Sequence, residues 1–202
     1  MPENKGPKRK TNSNFILITL IFLGGLTIFQ FFMANSMRAK YDIQSSNTIF
    51  YIYEDQSVAI NTNITMKAED DNSFDKLIEN FNTPDQEKEE AYVDNFSEIM
   101  QNVNRQFEVI SYESTMSTSK PNLTIEETVT VMGFTERLNS STIEFSLPGQ
   151  PLNVKDSIVI EYPEKWNIRS IVPQPTQRGE NFVIYEQEEQ IDFPRIVFDI
   201  TY

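Results

Sequence analysis

Cysteine and histidine are both absent from the 202 residues. Without thiols there is no disulfide and no lipid anchor carried on cysteine, and without either residue type the common zinc and haem ligand sets are missing. Catalytic dyads and triads built on an imidazole or a thiol are excluded on the same ground. Basic residues are scarce: 17 Lys and Arg stand against 30 Asp and Glu, a net charge of −13. A surface of that sign does not track a phosphate backbone, so nucleic acid is not an expected partner. The acidic clusters are Glu69-Asp70-Asp71, Glu87 with Glu89-Glu90, Glu126-Glu127, and Glu186 with Glu188-Glu189. None has the turn glycine or the D-x-D-x-D-G spacing that wraps oxygens around calcium, so they read as a solvated surface. No metal and no cofactor is expected.

What is present is one long run without charge. Phe15 to Met33 comprises 19 residues, 13 of them Ile, Leu or Phe. As a helix it reaches roughly 28 Å, close to the roughly 30 Å of a bilayer's hydrocarbon. Its large apolar side chains contribute roughly −4 to −8 kcal/mol to insertion. A soluble core helix would keep a polar stripe. A cleaved signal peptide would have an apolar core of only about 7–15 residues, although Ala34-Asn35-Ser36 offers small residues at a cleavage spacing. An uncleaved signal anchor over residues 15–34 fits the length best, with Phe15, Leu20, Gly24, Phe29 and Met33 along the membrane-spanning helix. Gly24-Gly25 and Gln30 show no small-xxx-small pairing pattern and read as tolerated residues. Residues 1–14 carry Lys5, Lys8, Arg9 and Lys10 against Glu3 alone. The basic excess places this N-terminus in the cytoplasm and the rest of the chain outside it, tethered to membrane lipid.

Residues 35–46 are polar and lack Gly and Pro, which suggests a stalk that continues the membrane helix. Residues 47–202 then form the exported domain. Thr48–Tyr53 is rich in aromatic and β-branched residues, and after Glu54-Asp55-Gln56 the run Ser57–Met66 alternates apolar Val58, Ile60, Ile64 and Met66 with polar residues, the pattern of a β-hairpin with one buried face. Phe74, Leu77, Ile78 and Phe81 have helical spacing. Thr83-Pro84-Asp85-Gln86 predicts a helix start, with Thr83 as N-cap, Pro84 at the first position and Gln86 closing a capping box. Tyr92, Phe96, Ile99, Val103 and Phe107 extend an apolar stripe, predicting a helix from Pro84 to about Arg105.

Seven further β-prone runs follow, beginning at Phe107, Leu123, Thr142, Ser157, Asn167, Phe182 and Arg195, many of them separated by Pro or Gly. The expected class is α+β with β predominant, an antiparallel sandwich or open sheet carrying one or two helices.

Two segments carry a resemblance. Tyr53-Glu54-Asp55-Gln56-Ser57-Val58-Ala59-Ile60, and Glu161-Tyr162-Pro163-Glu164-Lys165-Trp166 running on to Val172-Pro173, resemble segments of uncharacterised single-pass membrane proteins of archaea. In those, one N-terminal helix precedes a β-rich exported domain of unknown function. The resemblance implies location and architecture only. Glycine is expected at the hairpin turn, where this chain has Gln56.

Chemistry is thinly marked. Ser117-Thr118-Ser119-Lys120 spells a Ser-x-x-Lys motif, but in a polar loop with no helix to present the serine. Paired carboxylates for glycoside hydrolysis always exist somewhere in so acidic a chain, so their presence carries little information. Sequons stand at Asn63, Asn95, Asn122 and Asn139, close to the about three that composition alone supplies. Asn122 and Asn139 have the most turn-like surroundings. Trp166 reads as a core anchor beside a strand boundary more than as a sugar platform. The expected function is a non-enzymatic binding or envelope-organising module, or an accessory subunit with an unidentified protein partner. The alternative is a membrane-tethered hydrolase working through carboxylates alone.

Overall fold

A computed structural model describes residues 39–102, 105–147, 151–154, 157–186 and 189–200. The expected membrane helix with Phe15, Leu20, Gly24, Phe29 and Met33 lies outside the described residues. Among these, no helix is long and apolar enough to cross a membrane.

The chain enters directly into a sheet. Strand β1 (Tyr41–Ile52) pairs with β2 (Val58–Ala68), followed by helices α1 (Asp71–Phe81) and α2 (Asp85–Asn102) and then β3 (Glu108–Ser119) and β4 (Asn122–Met132). After these come β5 (Thr135–Asn139), β6 (Thr142–Phe145), β7 (Pro151–Val154), β8 (Ser157–Glu161) and β9 (Trp166–Val172). Last are β10 (Gln177–Arg178), β11 (Phe182–Tyr185), β12 (Glu189–Asp192) and β13 (Arg195–Ile200). A seven-stranded sheet has the order β10-β11-β8-β1-β2-β4-β3, a four-stranded sheet the order β5-β6-β13-β9, and β7 pairs with β12. The β-predominant architecture matches the sequence expectation. Among the described residues one pair departs from the antiparallel rule: β1 and β8 run parallel.

The stalk expectation needs correction at residues 41–46, which are strand. The cause is a bulge between Ile43 and Ser45 that lets Gln44 drop out of register with β2. Tyr41 and Ile43 pack inward before the bulge, and Thr48, Phe50 and Ile52 are buried after it. An added residue flips the side-chain phase, so the stretch never shows an unbroken alternation in sequence.

The inner face of the large sheet is covered twice. Phe50, Ile52, Val58, Ile60, Val129 and Val131 join Ile143, Phe145, Ile196 and Phe198 of the small sheet in one sandwich core, with Tyr92 and Phe96 of α2 closing one side. Phe134 links them, lying 5.6 Å from Phe96 and 6.0 Å from Phe193 between ring centroids. Trp166 is buried in the same core, 5.4 Å from Phe198. Further along the same strands, Ile64, Met66, Leu123 and Ile125 meet Phe74, Leu77 and Phe81 of α1. Leu77 is fully buried, a burial that contributes about 1.5–3 kcal/mol.

Between the two cores runs a polar row, Thr48 opposite Thr62 on β2, Thr62 opposite Glu127 on β4, and Glu127 opposite Ser114 on β3. Glu127 is only 5% exposed and accepts a hydrogen bond from the Tyr112 hydroxyl at 3.0 Å. Burial raises the pKa of both Tyr112 and Tyr92, and the negative charge of Glu127 raises them further. Lys88, 4% exposed, reaches Asp85 at 2.9 Å and Ser114 at 3.2 Å and lies 4.0 Å over the Phe81 ring, fastening α2 to β3.

Helix α1 is capped by Asp70, whose carboxylate accepts from the Ser73 amide at 2.7 Å. The capping box expected for α2 is not formed. Thr83 turns its hydroxyl back to the Asn80 carbonyl, Gln86 bonds Glu90, and the Pro84 carbonyl accepts from the Glu87 and Lys88 amides. The two helices follow each other so closely that Thr83 serves the end of the first.

Candidate binding site

Two turns meet at the end of the large sheet away from chain entry. The first follows β1. The Tyr53 carbonyl accepts from the Gln56 amide at 3.0 Å, and the Tyr53 amide donates to the Ser57 carbonyl at 2.9 Å. Asp55 locks the bend by accepting from the Ser57 amide at 2.9 Å and the Ser57 hydroxyl at 2.6 Å. Those bonds, the side-chain one foremost, hold the Asp55 pKa below its ordinary value. Gln56 has φ of 74°, the left-handed conformation for which glycine is suited, which is the substitution the sequence made surprising. The Thr135 hydroxyl donates to the Gln56 carbonyl at 2.6 Å, tying this turn to the start of β5.

The second turn follows β8. The Trp166 amide donates to the Pro163 carbonyl at 2.9 Å, and the Tyr162 amide donates to the Asn181 carbonyl at 3.0 Å. Tyr162 is buried, its ring 5.0 Å from Phe198, with its hydroxyl donating to the Glu180 carbonyl at 3.1 Å. Lys165 bridges to Glu54 at 3.3 Å and so joins the two turns.

The cavity between them has a volume of about 310 Å³, at the small end of the range for ligand pockets. Its lining combines Tyr51, Tyr53 and Tyr162 with Glu54, Glu161 and Glu164. Tyr51 and Glu161 are register partners across the parallel β1–β8 pair, and Phe182 stands opposite Glu161 on its other flank. These side chains belong to the outer face of the sheet, opposite Phe50 and Ile160. Tyr53 is 46% exposed at the rim. Burial raises the Tyr51 pKa, and the Glu161 carboxylate and Tyr53 add to the effect. The site therefore presents rings beside carboxylates on braced turns.

Sequence reasoning assigned none of these residues a role. The available signal was the pair of segments carrying the resemblance, Tyr53–Ile60 and Glu161–Trp166, which the fold brings together here.

The residues that sequence did single out are scattered. Asn63 sits mid-strand on β2 and donates to Glu126 at 3.0 Å. Asn95 lies on α2. Asn122 opens β4 and is exposed. Asn139 closes β5 at the hairpin tip, accepting from the Ser141 amide at 2.9 Å and the Ser141 hydroxyl at 3.2 Å. Ser117 is in strand β3, so the Ser-x-x-Lys spelling has no helix beneath it. No group of His, Cys, Asp or Glu among the described residues is arranged to hold a metal ion.

A second charged cluster is structural. Glu144 on β6 is buried and takes Arg195 at 2.7 Å and 2.8 Å and the Ser146 hydroxyl at 2.7 Å, while Arg105 reaches Glu136 at 3.0 Å. Burial pushes the Glu144 carboxyl upward, but the bonds from Arg195 and Ser146 and the two guanidinium charges prevail and hold it below the ordinary value. The cluster pins the segment after α2 onto the outer face of the small sheet.

Comparison with known proteins adds a family. A model described as a domain of unknown function (DUF4897) matches residues 41–199. The match begins at the first residue of β1 and ends one residue before the end of β13. No curated protein matches the chain.

Proposed function

The chain belongs to the DUF4897 family, and from that premise we propose that it is a single-pass membrane protein holding a β-rich binding module, or accessory subunit, outside the cytoplasm. The observation that carries the reading is the order of parts. An uncharged 19-residue run with basic residues before it ends at Met33, and only seven residues separate it from β1. So short a connection keeps the entry end of the domain, with α1, near the bilayer. Strand β1 is 12 residues long, so the cavity at its far end stands roughly 35–40 Å further out.

Alkaline carbonate extraction tests the anchor. The full chain is expected to stay in the membrane pellet, and a chain lacking residues 1–38 to leave it as a folded soluble protein. Release of the full chain would refute the anchor.

A further inference from the structure

We propose that the cavity between the two turns binds an alkylammonium group, the cationic head of a free amine or of a lysine side chain. The proposal rests on the reading of this domain as a binding module and adds the chemistry of its ligand.

Three features of the cavity converge on that class. Aromatic rings line it: Tyr51 and the buried Tyr162 stand in its wall, and Tyr53, largely exposed, is at the rim. Ring faces attract a cation through their quadrupole, most strongly where water is thinned out. Carboxylates outnumber cations around it: Glu54, Glu161 and Glu164 line it, against Lys165, which is engaged with Glu54, and Arg178, which is bonded to the Tyr162 hydroxyl. Among the described residues no lysine or arginine forms an ion pair with Glu161 or Glu164. Its size admits a head group and a few methylenes rather than a folded segment.

A neutral sugar would stack on the tyrosines but leave Glu161 and Glu164 without a counter-charge. A bare metal ion would need oxygens drawn around one point, an arrangement these residues lack. An ammonium neutralises the carboxylates and uses the rings at once. The braces described above, Asp55 with Ser57 and Tyr162 with Glu180, hold both walls in place before a ligand arrives.

The test is calorimetric titration of the full chain in detergent micelles at about 0.15 M salt, where longer-range attraction to an acidic protein is screened. Probes are spermidine for a free amine, N-acetyl-lysine methylamide for a peptide-borne one, and chitotriose as a neutral sugar. Glu161→Gln is expected to weaken amine binding about tenfold and Tyr53→Ala at least about threefold. Glu87→Gln, with the same charge change on the exposed start of α2, is expected to change it less than about twofold. Preference for spermidine or for the lysine analogue identifies the source and supports the proposal either way. Equal weakening by Glu87→Gln would mean diffuse charge attraction and overturn it. Tyr53-dependent binding of chitotriose without amine binding would overturn the ammonium assignment while leaving the binding module intact. If no probe binds, the assignment falls, and the anchor stands or falls separately on carbonate extraction.

Discussion

Replacing Tyr112 with phenylalanine removes one hydroxyl from the polar row between the two cores, a hydroxyl bonded to Glu127 and also to Ser114. The ring is kept, including its packing 6.5 Å from Tyr92. What is lost is the hydroxyl that donates to Glu127 at 3.0 Å. Glu127 is almost fully buried, so the carboxylate loses a donor without gaining bulk water. A hydrogen bond to a charged group contributes about 1.5–3 kcal/mol, against about 0.5–1.5 kcal/mol for a neutral one. Tyr185→Phe supplies the neutral comparison, because its hydroxyl donates to the Pro173 carbonyl at the same 3.0 Å distance. Urea unfolding of both variants, followed by the single tryptophan, is expected to show Tyr112→Phe losing about twice what Tyr185→Phe loses. In thermal melts the larger loss corresponds to a Tm lower by about 3–12 °C for a domain of this size. Equal losses, or no loss at Tyr112, would refute the view that a buried charge in the row depends on that hydroxyl.

Glu144 gives a pH test. Its folded pKa lies below the ordinary value of 4.5, so its contribution is present above that value and is lost as pH falls through the folded one. Glu144→Gln is therefore expected to flatten the acid limb of a stability-versus-pH curve below about pH 4.5, and an unchanged limb would contradict the ion cluster. Gln56→Gly, at φ of 74°, is expected to raise stability by about 0.5–1 kcal/mol in urea unfolding. Gly133→Ala is expected to do the opposite, since φ is +112° and a Cβ would stand 2.5 Å from the Gln106 carbonyl oxygen. A chelator at about 0.15 M salt is expected to leave the melting temperature in place, and a fall of more than about 5 °C would reveal a structural ion.

Much of the domain was legible because its strands are long and half-buried. Val58 to Ala68 and Leu123 to Val131 alternate cleanly, and the seven later runs each contain or overlap a strand. Helix α1 announced itself through Phe74, Leu77 and Phe81, all buried. What escaped has identifiable causes. The bulge after Ile43 broke the period that would have marked the start of β1. Strand β5 is Thr-Glu-Arg-Leu-Asn, largely exposed, and shows no apolar face. The parallel pairing of β1 with β8 joins residues more than 100 positions apart, such as Asn47 and Ser157, and no local pattern encodes it. The candidate site depends on that pairing. Tyr51 and Glu161 become neighbours only through it, so neither segment alone displays a pocket.

Protease added to intact, verified right-side-out cells tests the central claim most directly. The account expects digestion of residues 35–202 and survival of a basic N-terminal stub with the membrane. Full protection of the C-terminal domain in those cells would contradict it.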